Sequence, residues 1–165
     1  MSRIGVFGGT FNPPHKAHLR LAQKAIEDAG LDRVIVIPAY TPPHKSAPQL
    51  LSAQDRLELC RLTFRGEKFE ISDIEIKRKG KSYTIETLEA LKAVYPGDEL
   101  VLIIGSDMLL SFEKWYRFED ILSIASLCVM TREHAVTQEE LRSYCKNTLS
   151  LSENRFVILD CEALE

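Results

Sequence analysis

The 165-residue sequence lacks the features that mark several large classes of protein. It has no basic excess, since 21 Lys and Arg face 24 Asp and Glu and the formal net charge is −3, whereas nucleic-acid-binding domains usually carry a positive surplus. No apolar run approaches the roughly 20 residues of a membrane span, and the first residues do not resemble a signal peptide. These absences predict a cytoplasmic protein that binds small molecules and has no nucleic-acid or membrane partner, and they leave a homo-oligomer open.

Cysteine pairs are also missing. The four cysteines are scattered without a Cys-x-x-Cys motif, which predicts buried or idle thiols in a reducing compartment: Cys60, Cys128, Cys145 and Cys161. The sequence contains no repeat, no low-complexity tract and no linker. With 165 residues, the chain is long enough for a real core, and we expect residues 1–165 to form a single domain.

What the sequence does contain is an alternation of apolar runs with amphipathic segments. Five runs predict buried strands, at residues 3–7, 33–37, 99–104, 125–130 and 156–159. Helices are predicted in between, at residues 16–29 before Gly30, from a Ser52 cap to about 64, and from 83 to before Pro96. Two more are predicted over 112–124, in one or two pieces, and after a Thr137–Glu140 capping box. Strands joined by helices favour right-handed βαβ units. The sequence therefore predicts a doubly wound, Rossmann-like α/β fold with a parallel five-stranded sheet and helices on both faces.

Three segments do not fit this alternation. Residues 38–48 hold four prolines, which exclude regular structure. Residues 69–76 alternate apolar with polar side chains, and this period of two predicts a half-exposed strand. The basic run from Lys77 to Lys81 is typical of a solvated hairpin turn.

Glycines and polar residues follow the predicted strands at one edge of the sheet. Ligands of such sheets bind outside the carboxyl ends of the strands. The second strand is followed by the proline loop, with His44 and Lys45. The other three groups are Gly8-Gly9-Thr10 after the first strand, Gly105-Ser106-Asp107 after the third, and Thr131-Arg132 after the fourth. In this topology the groups converge on one rim.

The turn after the first strand has the composition of a phosphate site. Gly8 and Gly9 let a ligand approach the main chain, and Thr10 carries a hydroxyl donor. His15 and His18 lie three residues apart at the following helix start, where the helix dipole disfavours a cationic imidazole unless an anion binds nearby. Two alternatives remain: histidines that only cap or pack against the helix, and two ligands of a zinc site, for which no further Cys or His lies at a usual spacing.

This stretch resembles the signature of the nucleotidyltransferase superfamily that transfers nucleoside monophosphates with paired histidines. The pattern is Gly-Gly-Thr-Phe-(Asp/Asn)-Pro-x-His-x-(Gly/Ala)-His, and residues 8–18 match every fixed position. The resemblance implies that His15 and His18 contact ATP phosphates, that His18 stabilises the transition state, and that Thr10 assists. It also implies an ATP site that includes Gly8, Gly9, Thr10, Phe11, Gly105, Asp107 and Arg132.

Further motifs resemble the nicotinate-nucleotide adenylyltransferase branch of that superfamily. They are Thr41-Pro-Pro-His-Lys45, Ser82-Tyr-Thr-Ile-Glu-Thr-Leu88, Gly105-Ser-Asp-Met-Leu109 and Lys114-Trp-Tyr116. The resemblance implies adenylyl transfer from ATP, with Mg²⁺, to nicotinate mononucleotide, in NAD biosynthesis. Alternative functions are transfer to another phosphorylated acceptor such as phosphopantetheine, and nucleotide binding with impaired catalysis.

The residue chemistry agrees with a pyridine mononucleotide as the second substrate. Trp115 offers an indole face for a flat charged ring, although core packing is the alternative. Tyr83 and Thr84 open a helix whose unpaired N–H groups suit a carboxylate, although Thr84 as a simple N-cap is the alternative. His44 and Lys45 are predicted substrate contacts, with a solvated loop lysine as the alternative.

One departure from the superfamily concerns the second signature, Ile-Ser-Ser-Thr-x-x-Arg, which binds ATP phosphates from a C-terminal helix. It should follow the fifth strand, and the sequence stops about there, at Glu165. We expect a C-terminally short form of the domain. Each missing charge-assisted phosphate contact would cost on the order of 1.5–3 kcal/mol.

Overall fold

A computed structural model of the chain describes residues 1–40, 50–131 and 136–161. The strands of these residues are β1 (Arg3–Gly9), β2 (Arg33–Pro38), β3 (Phe69–Ile71), β4 (Glu99–Gly105), β5 (Ala125–Thr131) and β6 (Phe156–Asp160). The α-helices are α1 (Lys16–Asp28), α2 (Ala53–Thr63), α3 (Ile74–Arg78), α4 (Thr84–Val94), α5 (Ser106–Leu109), α6 (Phe118–Ile124) and α7 (Gln138–Ser143). A π-helical turn, Tyr144–Thr148, continues α7.

All strand pairs are parallel, and the sheet order is β3-β2-β1-β4-β5-β6. The chain runs outwards from β1 to β3 in one direction and from β4 to β6 in the other. The order therefore reverses between the neighbours β1 and β4, and a crevice opens outside the carboxyl ends of strands at such a switch point.

Helices cover both faces of the sheet, as predicted. Side chains alternate along β2, so that Ile35 and Ile37 pack into one apolar cluster while Val34 and Val36 pack into the other. The first cluster is closed by α4, α6 and α7, and the second by α1 and α2. These two layers confirm the doubly wound α/β class.

Several helix ends follow the predicted signals. The Ser52 hydroxyl accepts a hydrogen bond from the Asp55 N–H at 3.1 Å, and the Thr137 hydroxyl accepts one from the Glu140 N–H at 3.1 Å. Gly30 takes the left-handed conformation, with φ of 65°, just after α1.

The predicted number of five strands is wrong, because a sixth lies at the sheet edge. Only Phe69–Ile71 of the segment 69–76 is a strand, and it pairs with β2. Helix α3 follows at once: the Ser72 hydroxyl accepts from the Ile74 N–H at 3.3 Å, and the Asp73 carbonyl accepts from the Lys77 N–H at 2.8 Å. In a segment of eight residues, alternation of apolar and polar side chains does not distinguish one long strand from a short strand followed by a helical turn.

The predicted hairpin turn at 77–81 is wrong, whereas the helical segment at 112–124 has the two pieces that the sequence allowed. Lys77 and Arg78 end α3, and left-handed Lys79 and Gly80 lead into α4 rather than into a strand. The segment 112–124 consists of a 3₁₀ turn, Phe112–Lys114, and α6, and the two pieces are separated by Arg117 with φ of 52°. Among the described residues, no helix has the length and hydropathy needed to cross a membrane.

The amino edge of the sheet is closed by polar contacts. The Ser2 N–H donates to Asp98 Oδ1 at 2.9 Å, and the Arg3 N–H donates to Asp32 Oδ2 at 2.7 Å. The Arg3 guanidinium pairs with Glu99 at 2.8 Å. Helix and strand ends at this edge are therefore tied together, while the opposite, carboxyl edge carries the clefts described next.

Candidate active site

A cleft of about 210 Å³ lies at the switch point between β1 and β4. Its floor comes from the carboxyl ends of these strands, and one wall comes from the first turns of α1. The lining residues are Phe7, Gly8, Gly9, Thr10, Phe11, His18, Leu21, Ile103, Ile104, Gly105, Met108 and Met130. The structure thus brings together the predicted residues Gly8, Gly9, Thr10, Phe11, His18 and Gly105.

The turn after β1 is shaped by close packing around Phe11. Phe11 is 4% exposed and has a left-handed φ of 52°. Its ring packs edge-on against Phe7, at 5.5 Å between centroids, and against Phe64, at 5.8 Å. A Cβ on Gly9 would lie 3.2 Å from this ring, so Gly9 gives Phe11 its room. The absence of side chains at residues 8 and 9 leaves main chain facing the cleft.

The two histidines contact each other at the start of α1. The His15 N–H donates to His18 Nδ1 at 3.0 Å, and the ring centroids lie 4.0 Å apart. An imidazole that accepts at Nδ1 carries its proton on Nε2, so His18 is oriented as a donor from Nε2. The ring also meets Phe11 edge-on at 5.1 Å. His18 therefore accepts a capping hydrogen bond at the start of α1, as in the alternative of histidines that cap the helix, and it also lines the cleft. His15 is exposed beside it.

The remaining predicted site residues differ in how they relate to this cleft. Gly105 ends β4 and lines it, whereas Asp107 is exposed on the short helix α5 and is not among the lining residues. Arg132, His44 and Lys45 lie outside the described residues. Among residues 1–40, 50–131 and 136–161, no group of three or more His, Cys, Asp or Glu side chains could hold a metal ion.

A second cleft, also of about 210 Å³, opens at the start of α4. It is lined by Ser82, Tyr83, Thr84, Trp115, Tyr116 and Ile121, and so unites the three described residues that were predicted for the second substrate. Trp115 stacks on the buried ring of Phe112 at 4.6 Å between centroids and with 30° between planes. Trp115 therefore packs against the core and lines the cleft at the same time.

One predicted carboxylate donor is already occupied in this cleft. The Tyr83 N–H donates to Glu86 Oε1 at 3.1 Å, in the reverse half of a capping box. Tyr83, not Thr84, is the N-cap residue, and Thr84 is the first residue of α4. A ligand carboxylate at this helix start therefore has to use donors other than the Tyr83 N–H, or has to displace Glu86.

A partly buried polar network supports the loop before α4, and sequence reasoning missed it. Arg78 donates to the Ser82 hydroxyl at 3.0 Å and to the Thr87 hydroxyl at 3.2 Å, and Thr87 donates to Glu75 Oε2 at 2.8 Å. Burial raises the pKa of Glu75, although the Thr87 hydrogen bond and the Arg78 charge oppose this shift. The sequence signal for this network is the position of Arg78, which lies four residues before Ser82 and nine before Thr87, close enough in the chain for its guanidinium to reach both hydroxyls.

Sequence reasoning also missed Arg56, a fully buried arginine in the first turns of α2. Its guanidinium donates to the main-chain carbonyls of Thr10 and Ala39, each at 2.8 Å, and to that of Leu51 at 3.2 Å. The Leu51 N–H in turn donates to Asn12 Oδ1 at 2.8 Å. These bonds join the glycine turn to the end of β2 and the start of α2.

Comparison with known proteins places this architecture in a class. Residues 6–153, which include the glycine turn, the histidine pair and the switch-point cleft, match the cytidylyltransferase-like family. The chain is 49% identical over 138 residues to the probable nicotinate-nucleotide adenylyltransferase of Trichlorobacter lovleyi, covering 82% of this chain and 65% of the relative. It is 40% identical over 141 residues to the protein of that name from Shouchella clausii, covering 85% of this chain and 73% of the relative. The chain belongs to the nicotinate-nucleotide adenylyltransferase family.

Solved structures agree with the fold. The nicotinic acid mononucleotide adenylyltransferase of Plasmodium falciparum complexed with NaAD superposes with a TM-score of 0.77 at 17% identity, covering 97% of this chain and 75% of that one. The same enzyme complexed with APC superposes with a TM-score of 0.76. The chain spans about two thirds of the length of the curated relatives given above.

Proposed function

We propose that the chain transfers AMP from ATP to nicotinate mononucleotide, releasing pyrophosphate and forming deamido-NAD, as a step of NAD biosynthesis. The observation that carries the proposal is the pair of clefts. One combines a glycine turn with an Nε2 donor from His18, and the other combines an indole face with a helix start. The names of the relatives point to the same reaction.

In the first cleft, the proposed occupant is ATP. The exposed main chain at Gly8 and Gly9, the Thr10 hydroxyl and the donor nitrogen of His18 suit phosphate oxygens. His15 extends the donor surface at the start of α1, and Arg132 and Asp107 are proposed as outer contacts. Mg²⁺ enters as part of the ATP substrate, because this ion keeps phosphate oxygens and water as ligands and needs few protein carboxylates.

In the second cleft, the proposed occupant is the pyridine ring of the mononucleotide. Trp115 is held by its stack on Phe112, so its orientation is set before the substrate arrives. The start of α4 faces the ring carboxylate, with the Arg78 network fixing the loop that precedes it. Lys45 and His44 are proposed to meet the mononucleotide phosphate.

The reaction needs no strong general base, because the attacking mononucleotide phosphate is already anionic. One of its oxygens forms a bond to the α-phosphorus of ATP while the bond to the bridging oxygen breaks, and pyrophosphate leaves with that electron pair. The chain contributes positioning of two polyanions and stabilisation of charge on the transferred phosphoryl group, with His18 as the catalytic donor. We propose that residues 1–165 belong to a single nucleotidyltransferase domain and supply these groups to it.

The test is pyrophosphate release from ATP and Mg²⁺ with a panel of acceptors. Nicotinate mononucleotide should support release faster than nicotinamide mononucleotide or phosphopantetheine. A preference for phosphopantetheine would make the chain a different adenylyltransferase. Calorimetric ATP binding without release in the presence of any acceptor would make it a nucleotide-binding protein instead.

A further inference from the structure

Arg56 is placed where a charged side chain is unusual. It is 0% exposed, and it sits beneath the rim that carries the proposed ATP site. Its three hydrogen-bond acceptors are main-chain carbonyls from three separate segments: the glycine turn at Thr10, the end of β2 at Ala39, and the residue before the cap of α2 at Leu51. A planar guanidinium fork, with five N–H donors in fixed directions, is well suited to holding several carbonyls at once.

The charge of Arg56 has no local counter-charge in the described part of the chain. No carboxylate among those residues lies within ion-pair distance of it, and its Nη2 has no acceptor there although it is buried. Burial lowers the pKa of Arg56, yet a guanidinium stays protonated in proteins. A buried cation without a paired carboxylate is costly, because carbonyl dipoles replace only part of its lost hydration.

The glycine turn connects this charge to the cleft. Thr10 lines the cleft with its own atoms and offers its carbonyl to Arg56 from the other side. The same turn is joined to β2 through the bond from the Ala39 N–H to the Gly9 carbonyl, at 2.8 Å. A change at residue 56 therefore reaches the cleft through one hydrogen bond.

We infer that Arg56 is the positioning residue of the phosphate site: it fixes the glycine turn against β2 and α2, and its buried charge is balanced by the phosphates of bound ATP. This inference rests on the proposed function for the identity of the anion. It goes beyond that function by assigning the affinity for phosphate to a residue that does not line the cleft.

The experiment compares ATP with adenosine, which lacks the phosphates, by nuclear magnetic resonance titration of wild type, Arg56→Met and Arg56→Lys. In Arg56→Met, ATP binding should weaken about tenfold or more, with adenosine binding unchanged. In Arg56→Lys, which keeps the charge and loses the fork, ATP binding should weaken about threefold. Partial recovery of ATP affinity in Arg56→Lys would separate the effect of the charge from that of the guanidinium shape. If Arg56 only supported the fold, its substitution would change the affinities for ATP and adenosine together.

The matched control is Arg61→Met. Arg61 lies on the same helix, is exposed, and pairs with Glu58 on the surface, so the substitution changes the net charge of α2 by the same amount. Its ratio of ATP to adenosine affinity should equal that of wild type. Circular dichroism checks the fold of each variant.

Each outcome separates the inference from the proposed function. If wild type does not bind ATP, both are wrong. If wild type binds ATP and Arg56→Met keeps the wild-type ratio, the inference alone is wrong. Should Arg56→Met fail to fold, Arg56→Lys decides the matter, and an unchanged ratio in that variant overturns the inference.

Discussion

Gly8 and Gly9 are neighbours in β1, but they should respond in opposite ways to the same substitution by alanine. Neither has a left-handed φ, so alanine is compatible with the backbone at both positions. A Cβ on Gly8 would find nothing nearer than the Ile37 carbonyl oxygen at 3.8 Å, which is ordinary contact. A Cβ on Gly9 would lie 3.2, 3.3 and 3.5 Å from three atoms of the Phe11 ring.

The magnitudes follow from these distances. Gly8→Ala should stabilise the fold by about 0.5 kcal/mol, because the unfolded chain loses freedom and the folded one gains no clash. Gly9→Ala has the same benefit but must move a ring that is held by Phe7, Phe64 and His18, and overpacking of this kind costs about 1–3 kcal/mol. The net expectation for Gly9→Ala is a loss of roughly 0.5–2.5 kcal/mol.

The two variants should also differ in function. Gly8→Ala puts a methyl group where phosphate is proposed to approach the main chain, and ATP binding should weaken about tenfold in a protein that is at least as stable as wild type. Urea unfolding measures the stabilities, and calorimetry measures ATP affinity. Equal stability of the two variants would refute the packing argument, and undiminished ATP binding by Gly8→Ala would refute the placement of phosphate at this turn.

The remaining predictions concern the catalytic donor, the ring stack, a half-buried carboxylate and the thiols. His18→Ala should lower the rate of pyrophosphate release by roughly a hundredfold or more while circular dichroism shows an intact fold, and near-normal turnover would rule out its assigned role. Trp115→Ala should weaken nicotinate mononucleotide by about tenfold and leave ATP unaffected in titrations, whereas equal losses would count against stacking. The folded state raises the pKa of Glu75, so its contribution to stability is present at low pH and is lost as the pH rises through the raised pKa. The urea midpoint of Glu75→Gln should therefore gain on that of wild type as the pH rises above about 4, and a difference independent of pH would contradict this. Burial raises the pKa of Cys145 to about 11, so roughly one such thiol in a thousand is ionised at pH 8, and a thiol reagent should modify the native protein slowly and all four cysteines after unfolding.

The parts of the fold that sequence reasoning predicted well are those where one physical signal dominates. The strands β1, β2, β4, β5 and β6 are apolar on both faces because helices cover both faces of the sheet. A short, continuous apolar run of this kind is typical of a buried parallel strand. Caps at Ser52 and Thr137 were equally clear, since a side-chain oxygen followed by a free N–H is a local arrangement. The glycine turn and its histidines could be placed together for the same reason.

The parts that were missed depend on contacts distant in sequence. The segment 69–76 divides into strand and helix because its first half pairs with β2, which no local pattern reveals. Arg56 looks like a solvated residue of a polar helix, and only the meeting of three loops buries it. The bond from the Tyr83 N–H to Glu86 is local, but tyrosine is not among the usual N-cap residues, so the sequence carries only a weak signal for it.

The closed amino edge has a practical consequence for handling the protein. Met1 is 94% exposed just before β1, on the side where Ser2 and Arg3 are tied to Asp98 and Glu99, and both clefts open at the other end of the strands. A tag or a surface linkage at Met1 would therefore leave the clefts facing free solution. Immobilised through that residue, the protein should take up nucleotide as it does unattached, which makes it suited to binding measurements on a sensor surface.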